Sequence, residues 1–146
     1  MLVALGEGPD RAALEALAEQ LGVTDAVLLP GRVGDVAACL RDAELVVHPA
    51  RWEGFGLALL EAMYAGRAIV ASRVSSIPEI VVDGETGLLV PPDDPGALAA
   101  AVLQLLGDPE LTARYGAAGL ERARTEFTVA RMTERHLELY GRVLGD

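Results

Sequence analysis

The chain has 146 residues, of which 51% are apolar and 23% charged, and its formal net charge is −10. This length suits one domain with a substantial core, and the composition argues against disorder. The negative charge argues against nucleic acid or an anionic membrane as a partner. Met1 is not followed by a basic segment and a cleavage site, and no apolar run is long enough to span a bilayer, so we expect a cytoplasmic protein.

The first third of the chain alternates short apolar runs with helical patterns. In order, the patterns predict a buried strand at Leu2–Leu5, a helix from Pro9 to about Leu21, a strand at Ala26–Leu29 broken by Pro30-Gly31, a short helix from Asp35 to Leu40, and a strand at Glu44–His48. Cys39 is the only cysteine, so no disulfide can form within the chain. Because it lies in an apolar helical stretch, we expect a buried, inert thiol.

The rest of the chain begins with a glycine-rich loop, from Arg51 to Gly56. Beyond it, the patterns predict a helix at Leu57–Ala65, a strand at Ala68–Ala71, a short segment at Ile77–Val82, a strand at Leu88–Val90, a helix after Pro95, another after Pro109, and an amphipathic helix at about Val129–Leu144. Strands therefore alternate with helices throughout, which predicts one α/β domain with a parallel sheet and helices on both faces. Such sheets bind ligands beyond the carboxyl ends of their strands.

Two glutamates, Glu53 and Glu61, lie eight positions apart around Gly54 and Gly56. The glycines let a ligand approach the backbone closely, and the first amides of the following helix form a site for an anion such as a diphosphate. An ionised carboxylate only accepts hydrogen bonds, so each glutamate suits hydroxyl groups rather than phosphate. Glu61 could hold a ribose diol and Glu53 the hydroxyls of a sugar. A nucleotide sugar carries diol, diphosphate and sugar in that order.

The stretch from His48-Pro49 to Glu61-Ala62-Met63-Tyr64-Ala65-Gly66 resembles the group 1 (family 4) retaining glycosyltransferases of the GT-B fold, which have two Rossmann-like domains. Further blocks carry the same resemblance over nearly the whole chain: Gly6-Glu7-Gly8-Pro9, Pro78-Glu79-Ile80-Val81, Asp83-Gly84-Glu85-Thr86-Gly87-Leu88-Leu89-Val90, Asp108-Pro109 and Phe127-Thr128. The resemblance implies the C-terminal, donor-binding half of such an enzyme, with a Rossmann-like fold.

The resemblance also implies roles for individual residues. Glu53 would hold the donor sugar at the catalytic position, and Glu61 would bind ribose. The backbone at Gly54, Phe55, Gly56 and Leu57 would line the sugar and diphosphate, while the loop Gly31, Arg32 and Val33 would contact the base. The family implies sugar transfer with retention from a nucleotide-diphosphate donor, with no cofactor and no metal. We see no metal-ligand spacing in the sequence.

The chain departs from the family pattern in three places. It starts at what would be the second strand, so the first strand and helix are missing, together with an arginine and a lysine that clamp the diphosphate; all twelve basic residues here are arginine. The partner domain that binds the acceptor is missing too, so we expect the chain to be inactive alone. Loss of a strand would leave an open sheet edge, through which the chain could form a homodimer. Ser75-Ser76 stand where the family often has two glycines, a change we expect to matter little.

Other functions stay open at this point. The chain could be a nucleotide-binding module without catalysis, or a fragment of a nucleotide-sugar epimerase, which shares the architecture. His48, at the end of a strand, is expected to be packed or hydrogen-bonded rather than catalytic. The base, the sugar and the acceptor cannot be read from these residues.

Overall fold

The computed structural model describes residues 1–145, and every strand pairing among them is parallel. The strands are β1 (Leu2–Leu5), β2 (Val27–Gly31), β3 (Leu45–His48), β4 (Ala68–Ser72) and β5 (Gly87–Val90). The helices are α1 (Arg11–Gln20), α2 (Val36–Asp42), α3 (Leu57–Tyr64), α4 (Ile77–Ile80), α5 (Pro95–Gly107), α6 (Pro109–Glu126) and α7 (Val129–Leu144), with a 3-10 turn at Thr24–Ala26. This alternation confirms the predicted α/β class.

The chain forms two compact units, of which the first is Met1–Val36. In this unit β1 pairs with β2, and α1 connects them. Arg11 ties the helix to β2, since its Nη2 donates to the Leu29 carbonyl at 2.7 Å. Ala18 is the only apolar side chain of this unit that is buried among the described residues. The first unit therefore has almost no core of its own.

The second unit begins at Ala37 and contains the sheet β3-β4-β5, with β4 in the middle. All five residues of β4 are buried. Ile69 and Ala71 belong to one apolar cluster with α3 and α4, whereas Ala68 and Val70 belong to a second cluster with α5 and α6. Side chains alternate across a strand, so β4 is covered on both faces. Helices on both faces are the arrangement predicted, although the strands pair in two sheets rather than in the one sheet predicted.

Helix α6 packs closely against α3 and the turn that follows it. Gly116 is buried, and a Cβ at that position would overlap the Gly66 carbonyl oxygen. Tyr64 adds a hydrogen bond from its hydroxyl to the Ala123 carbonyl at 3.1 Å. Only a residue without a side chain lets the two backbones approach this closely. The contact fixes α3, and with it the loop that precedes α3.

Three helices begin at side-chain caps that the sequence places there. Asp94 Oδ1 accepts from the Ala97 amide at 2.8 Å, Asp108 Oδ1 from the Leu111 amide at 2.9 Å, and Thr128 Oγ1 from the Arg131 amide at 3.1 Å. Each bond satisfies an amide that the helix itself leaves unpaired. Within residues 1–145, no helix combines the length and the apolar character needed to cross a membrane.

Three further details of the predicted fold are wrong. The strand β1 is exposed rather than buried, with Leu2 at 54% and Leu5 at 37%. Strand β2 continues through Pro30 to Gly31, because the pairing there uses the Gly31 carbonyl, which accepts from the Gly6 amide at 2.8 Å, and needs no amide from proline. Cys39 is exposed, because α2 turns the next residue, Leu40, toward the core instead.

Candidate functional site

The site lies in the loop between β3 and α3, where the chain leaves the carboxyl end of a parallel strand. Gly56 caps α3 with φ +97°, a left-handed conformation that side chains rarely adopt. Its carbonyl accepts from the amides of Leu59 and Leu60. The amides of Leu57 and Ala58 precede these first helical bonds, so they form the electropositive end of the helix.

Glu53 is held by a histidine at the end of the preceding strand. His48 Nε2 lies 3.0 Å from Glu53 Oε2, and both side chains are about three-quarters buried. This hydrogen bond is the main cause that lowers the pKa of Glu53 from its ordinary value. Partial burial opposes it, while the charge of His48 and the amides of Phe55 and Gly54 add to the lowering. The loop therefore keeps Glu53 ionised, as an acceptor.

Glu61 lies one turn into α3 and is exposed. Among the described residues its carboxylate has no hydrogen-bond or ion-pair partner. Its neighbours Leu60 and Ala62 are buried, so the helix fixes the direction of Glu61. Side chains on a helix lean toward its N-terminus, so Glu61 covers the turn that begins at Leu57. A second carboxylate therefore faces solvent beside the first turn of α3.

Ser76 secures the loop from the other side. Its hydroxyl approaches the carbonyl of Phe55 at 3.2 Å and that of Glu53 at 3.4 Å. Ser75 has φ +47°, a left-handed conformation that favours glycine over serine. The expectation that this pair of serines matters little is therefore wrong. One serine adopts a strained conformation, and its neighbour binds the loop backbone.

Two aromatic residues of the loop are exposed. Phe55 is 49% exposed and meets Phe127 edge to face, with ring centroids 6.4 Å apart. Trp52 is 76% exposed, and its ring lies about 3.5 Å from where a Cβ at Gly54 would be. Trp52 is the only tryptophan of the chain. An exposed ring over the loop is a natural reporter of what the loop binds.

The predicted base-contacting loop lies in the first unit. Gly31 has φ +76° and is buried beneath the Glu7 carboxylate, while Arg32 is exposed and Val33 is half-buried. A Cβ at Gly31 would overlap Glu7 Oε1. The structure thus brings together Glu53, Gly54, Phe55, Gly56, Leu57 and Glu61 in one unit, and Gly31, Arg32 and Val33 in the other.

Two contacts of the site were not predicted as such. His48 was expected to be packed or hydrogen-bonded, and its bond to Glu53 confirms this, but the partner was not predicted. Ser76 was noted only as a replacement for glycine, because its hydrogen bonds depend on the fold of the loop after β4. Arg51, the first residue of the glycine-rich loop, pairs with Asp93, with Nε and Oδ1 2.7 Å apart.

Several known proteins share this fold and are similar to the chain in sequence. A lipopolysaccharide core biosynthesis mannosyltransferase, LpcC from Rhizobium leguminosarum bv. viciae, is 38% identical over 86% of the chain and 36% of its own length. The crystal structure of the C-terminal domain of a group 1 glycosyl transferase, LpcC from Francisella tularensis, superposes with a TM-score of 0.78 at 30% identity, covering 87% of this chain and 69% of that one. A TarM variant from S. aureus, in complex with Fondaparinux, alpha-GlcNAc-glycerol and UDP, superposes with a TM-score of 0.88 at 27% identity over 94% of this chain and 28% of that one.

Fold and relatives together define the class of GT-B glycosyltransferases. The family model for glycosyl transferases group 1 matches residues 1–122. The chain belongs to this family. It spans about a third of the length of the curated mannosyltransferase that it resembles.

Proposed function

We propose that this chain is the donor-binding part of a retaining glycosyltransferase, which moves a sugar from a nucleotide-diphosphate sugar to an acceptor. The observation that carries the proposal is the arrangement at the start of α3. An ionised carboxylate at Glu53, open amides at Leu57 and Ala58, and a free carboxylate at Glu61 follow one another along the chain.

Each part of this arrangement matches one part of the donor. The amides and the helix dipole attract the diphosphate. Glu61 accepts hydrogen bonds from the two ribose hydroxyls, and Glu53 accepts them from the transferred sugar. The bound UDP of the TarM structure supports a nucleotide as the ligand class. The backbone of Gly31, Arg32 and Val33 contacts the base in this proposal.

In this proposal, transfer itself needs groups that these 146 residues do not supply. The family resemblance implies that the acceptor and the basic clamp on the diphosphate come from residues outside these 146. Two charge-assisted hydrogen bonds of such a clamp contribute about 1.5–3 kcal/mol each. We therefore expect the chain alone to bind donor weakly, in the high micromolar to millimolar range, and to transfer no sugar.

The first test is a binding titration of the chain with UDP, GDP and ADP and with their glucose or mannose conjugates. Calorimetry and the fluorescence of Trp52 give two independent readouts. We expect one base to bind, and Glu61→Ala to weaken nucleotide and nucleotide sugar alike by about tenfold or more, since it removes a charged acceptor. Glu121→Ala, an exposed glutamate on α6, is the matched control and should leave affinity unchanged.

Each outcome decides between the functions considered. Binding that depends on Glu61 supports a donor site, and binding of nucleotide with no contribution from the sugar favours a module without catalysis. No binding at millimolar concentration by any of the six ligands would contradict the proposal for this chain. Repeating the titration with EDTA and with Mg²⁺ tests whether donor binding needs a metal ion. We expect the same affinity for the donor under both conditions.

A further inference from the structure

The imidazole of His48 is placed to control the glutamate of the site. His48 ends β3, a strand hydrogen-bonded to β4 along its whole length, so the backbone beneath the imidazole is fixed. Its Nε2 reaches Glu53 Oε2 at 3.0 Å, and solvent reaches only 23% and 25% of the two side chains. A hydrogen bond sheltered in this way restricts both partners more than one at the open surface.

The chemistry of the pair assigns the proton. A carboxylate is an acceptor only, so the Nε2–H of His48 donates to Glu53. That donor is present whether the imidazole is neutral or charged, because the neutral form needs only the proton at Nε2. The bond occupies one side of Oε2. The amides of Phe55 and Gly54 make smaller contributions at the same carboxylate. A carboxylate has about four acceptor positions, so some stay available to other donors.

The backbone and the side chain of Glu53 are held by different residues. Ser76 approaches the carbonyls of Glu53 and Phe55 and secures the backbone of the loop. A glutamate side chain has three rotatable bonds, so a fixed backbone does not by itself orient its carboxylate. Within residues 1–145, the side chain of His48 bonds to the carboxylate, and this bond outweighs the interactions with the amides of Phe55 and Gly54. The orientation of the carboxylate therefore depends mainly on His48.

We propose that His48 is a positioning residue, whose Nε2–H holds the Glu53 carboxylate in the orientation that receives the hydroxyls of the transferred sugar. The inference rests on the proposed function, because the contact between Glu53 and the sugar is itself proposed there. The inference assigns two separate binding roles to the site. His48 and Glu53 act on the sugar alone, whereas α3 and Glu61 act on the nucleotide.

This separation makes the test specific. For the chain and its variants, the dissociation constants of UDP, GDP and ADP are compared with those of UDP-glucose, GDP-mannose and ADP-glucose by Trp52 fluorescence. His48→Ala should weaken the nucleotide sugar about tenfold and leave its nucleotide unchanged. His48→Gln should recover most of the loss, because the glutamine amide offers an N–H at similar reach. His136→Ala, at an exposed histidine on α7, is the control and should change neither.

A double-mutant cycle tests whether His48 acts through Glu53. Glu53→Ala should lose the same affinity for the sugar, and His48→Ala in that background should have no further effect. Carboxyl carbon NMR of the ligand-free chain adds a measurement that needs no donor. In His48→Ala the pKa of Glu53 should rise toward its ordinary value, because the hydrogen bond that lowers it most is gone.

The measurements distinguish failure of this inference from failure of the proposed function. Equal weakening of nucleotide and nucleotide sugar in His48→Ala would make His48 a structural residue and overturn the inference while leaving the proposed function intact. An unchanged Glu53 titration, or additive effects in the cycle, would overturn it as well. If the unmodified chain binds none of the six ligands, the proposed function fails and the inference fails with it.

Discussion

At the scale of single residues, the loop before α3 is held by three contacts: His48 bonds to the side chain of Glu53, Ser76 bonds to the loop backbone, and the left-handed Gly56 starts the helix. Glu53 and Glu61 stood out in the sequence because two glutamates flank glycines before a helix. The sequence indicated Gly56 only as room for a ligand, whereas the structure shows that it starts α3 in a left-handed conformation, with φ +97°. The hydrogen-bond partners of His48 and Ser76 could not be predicted, because they depend on which strand ends and loops become neighbours.

The hydrogen bond to Glu53 predicts a pH dependence of stability. Its pKa is lowered in the folded chain, so Glu53 contributes stability above its unfolded value, and this contribution is lost as pH falls through the folded value. Unfolding by urea should therefore show Glu53→Gln less stable than the unmodified chain at pH 7. The difference should shrink as pH falls below 4.5, the ordinary pKa of a glutamate, and through the lower pKa of folded Glu53. A difference that stays constant over this range would contradict the prediction.

At the scale of elements, sequence patterns located helices and strands well but judged burial less well. The starts of α5, α6 and α7 follow from Asp94, Asp108 and Thr128, residue types that cap helices by accepting an amide hydrogen bond. The prediction of burial failed where burial depends on which elements pack together. The strand β1 has the apolar residues of a core strand, yet it lies exposed beside β2.

The contact of α6 with the turn after α3 predicts opposite effects for the same substitution at two helical glycines. Gly116→Ala should lower the free energy of unfolding by about 1–3 kcal/mol, because the new methyl group meets the Gly66 carbonyl. Gly141→Ala on α7 should raise it by up to about 1 kcal/mol, because nothing lies within 4 Å of its Cβ and alanine favours helix.

Urea titrations of the two alanine variants give the comparison. Similar stability changes at both positions would show that α6 does not pack tightly on the turn. Because α6 fixes α3, Gly116→Ala should also weaken nucleotide binding, whereas Gly141→Ala should leave nucleotide binding unchanged.

At the scale of the whole molecule, the two units differ sharply in how much apolar surface they bury. Both apolar clusters lie in the second unit, whereas the first has Ala18 as its one buried apolar side chain among the described residues. Units of this size with little core are marginal on their own. The sequence predicted the order of the elements but not this difference in buried apolar surface, because the strands of both units are similarly apolar.

Hydrogen exchange should report this difference directly. Amides of β4, buried on both faces, should exchange only on unfolding of the second unit, while those of β1 and β2 should exchange orders of magnitude faster. Exchange measured by mass spectrometry resolves the two segments. Equal protection of β1 and β4 would mean that the first unit gains a partner in solution.

Self-association through an open strand edge is one way to gain such a partner. Val3 is 41% exposed on β1, and Val129 is 76% exposed on α7. If β1 is the contact, light scattering should show a dimer that Val3→Arg abolishes, because a charge on an edge strand blocks pairing. Val129→Arg is the matched control. Loss of the dimer in that variant alone would place the contact on α7, and a monomer at all concentrations would exclude both.

The exposed thiol of Cys39 has a practical consequence. A maleimide dye would attach at a single position of the unmodified chain, on α2, and the chain carries a single indole, that of Trp52 in the loop before α3. Energy transfer from the indole to the dye would then measure one distance inside the second unit, from a helix outside the loop to the loop itself. Ligand binding that rearranges the loop would change the transfer efficiency, whereas binding without rearrangement would leave the efficiency constant.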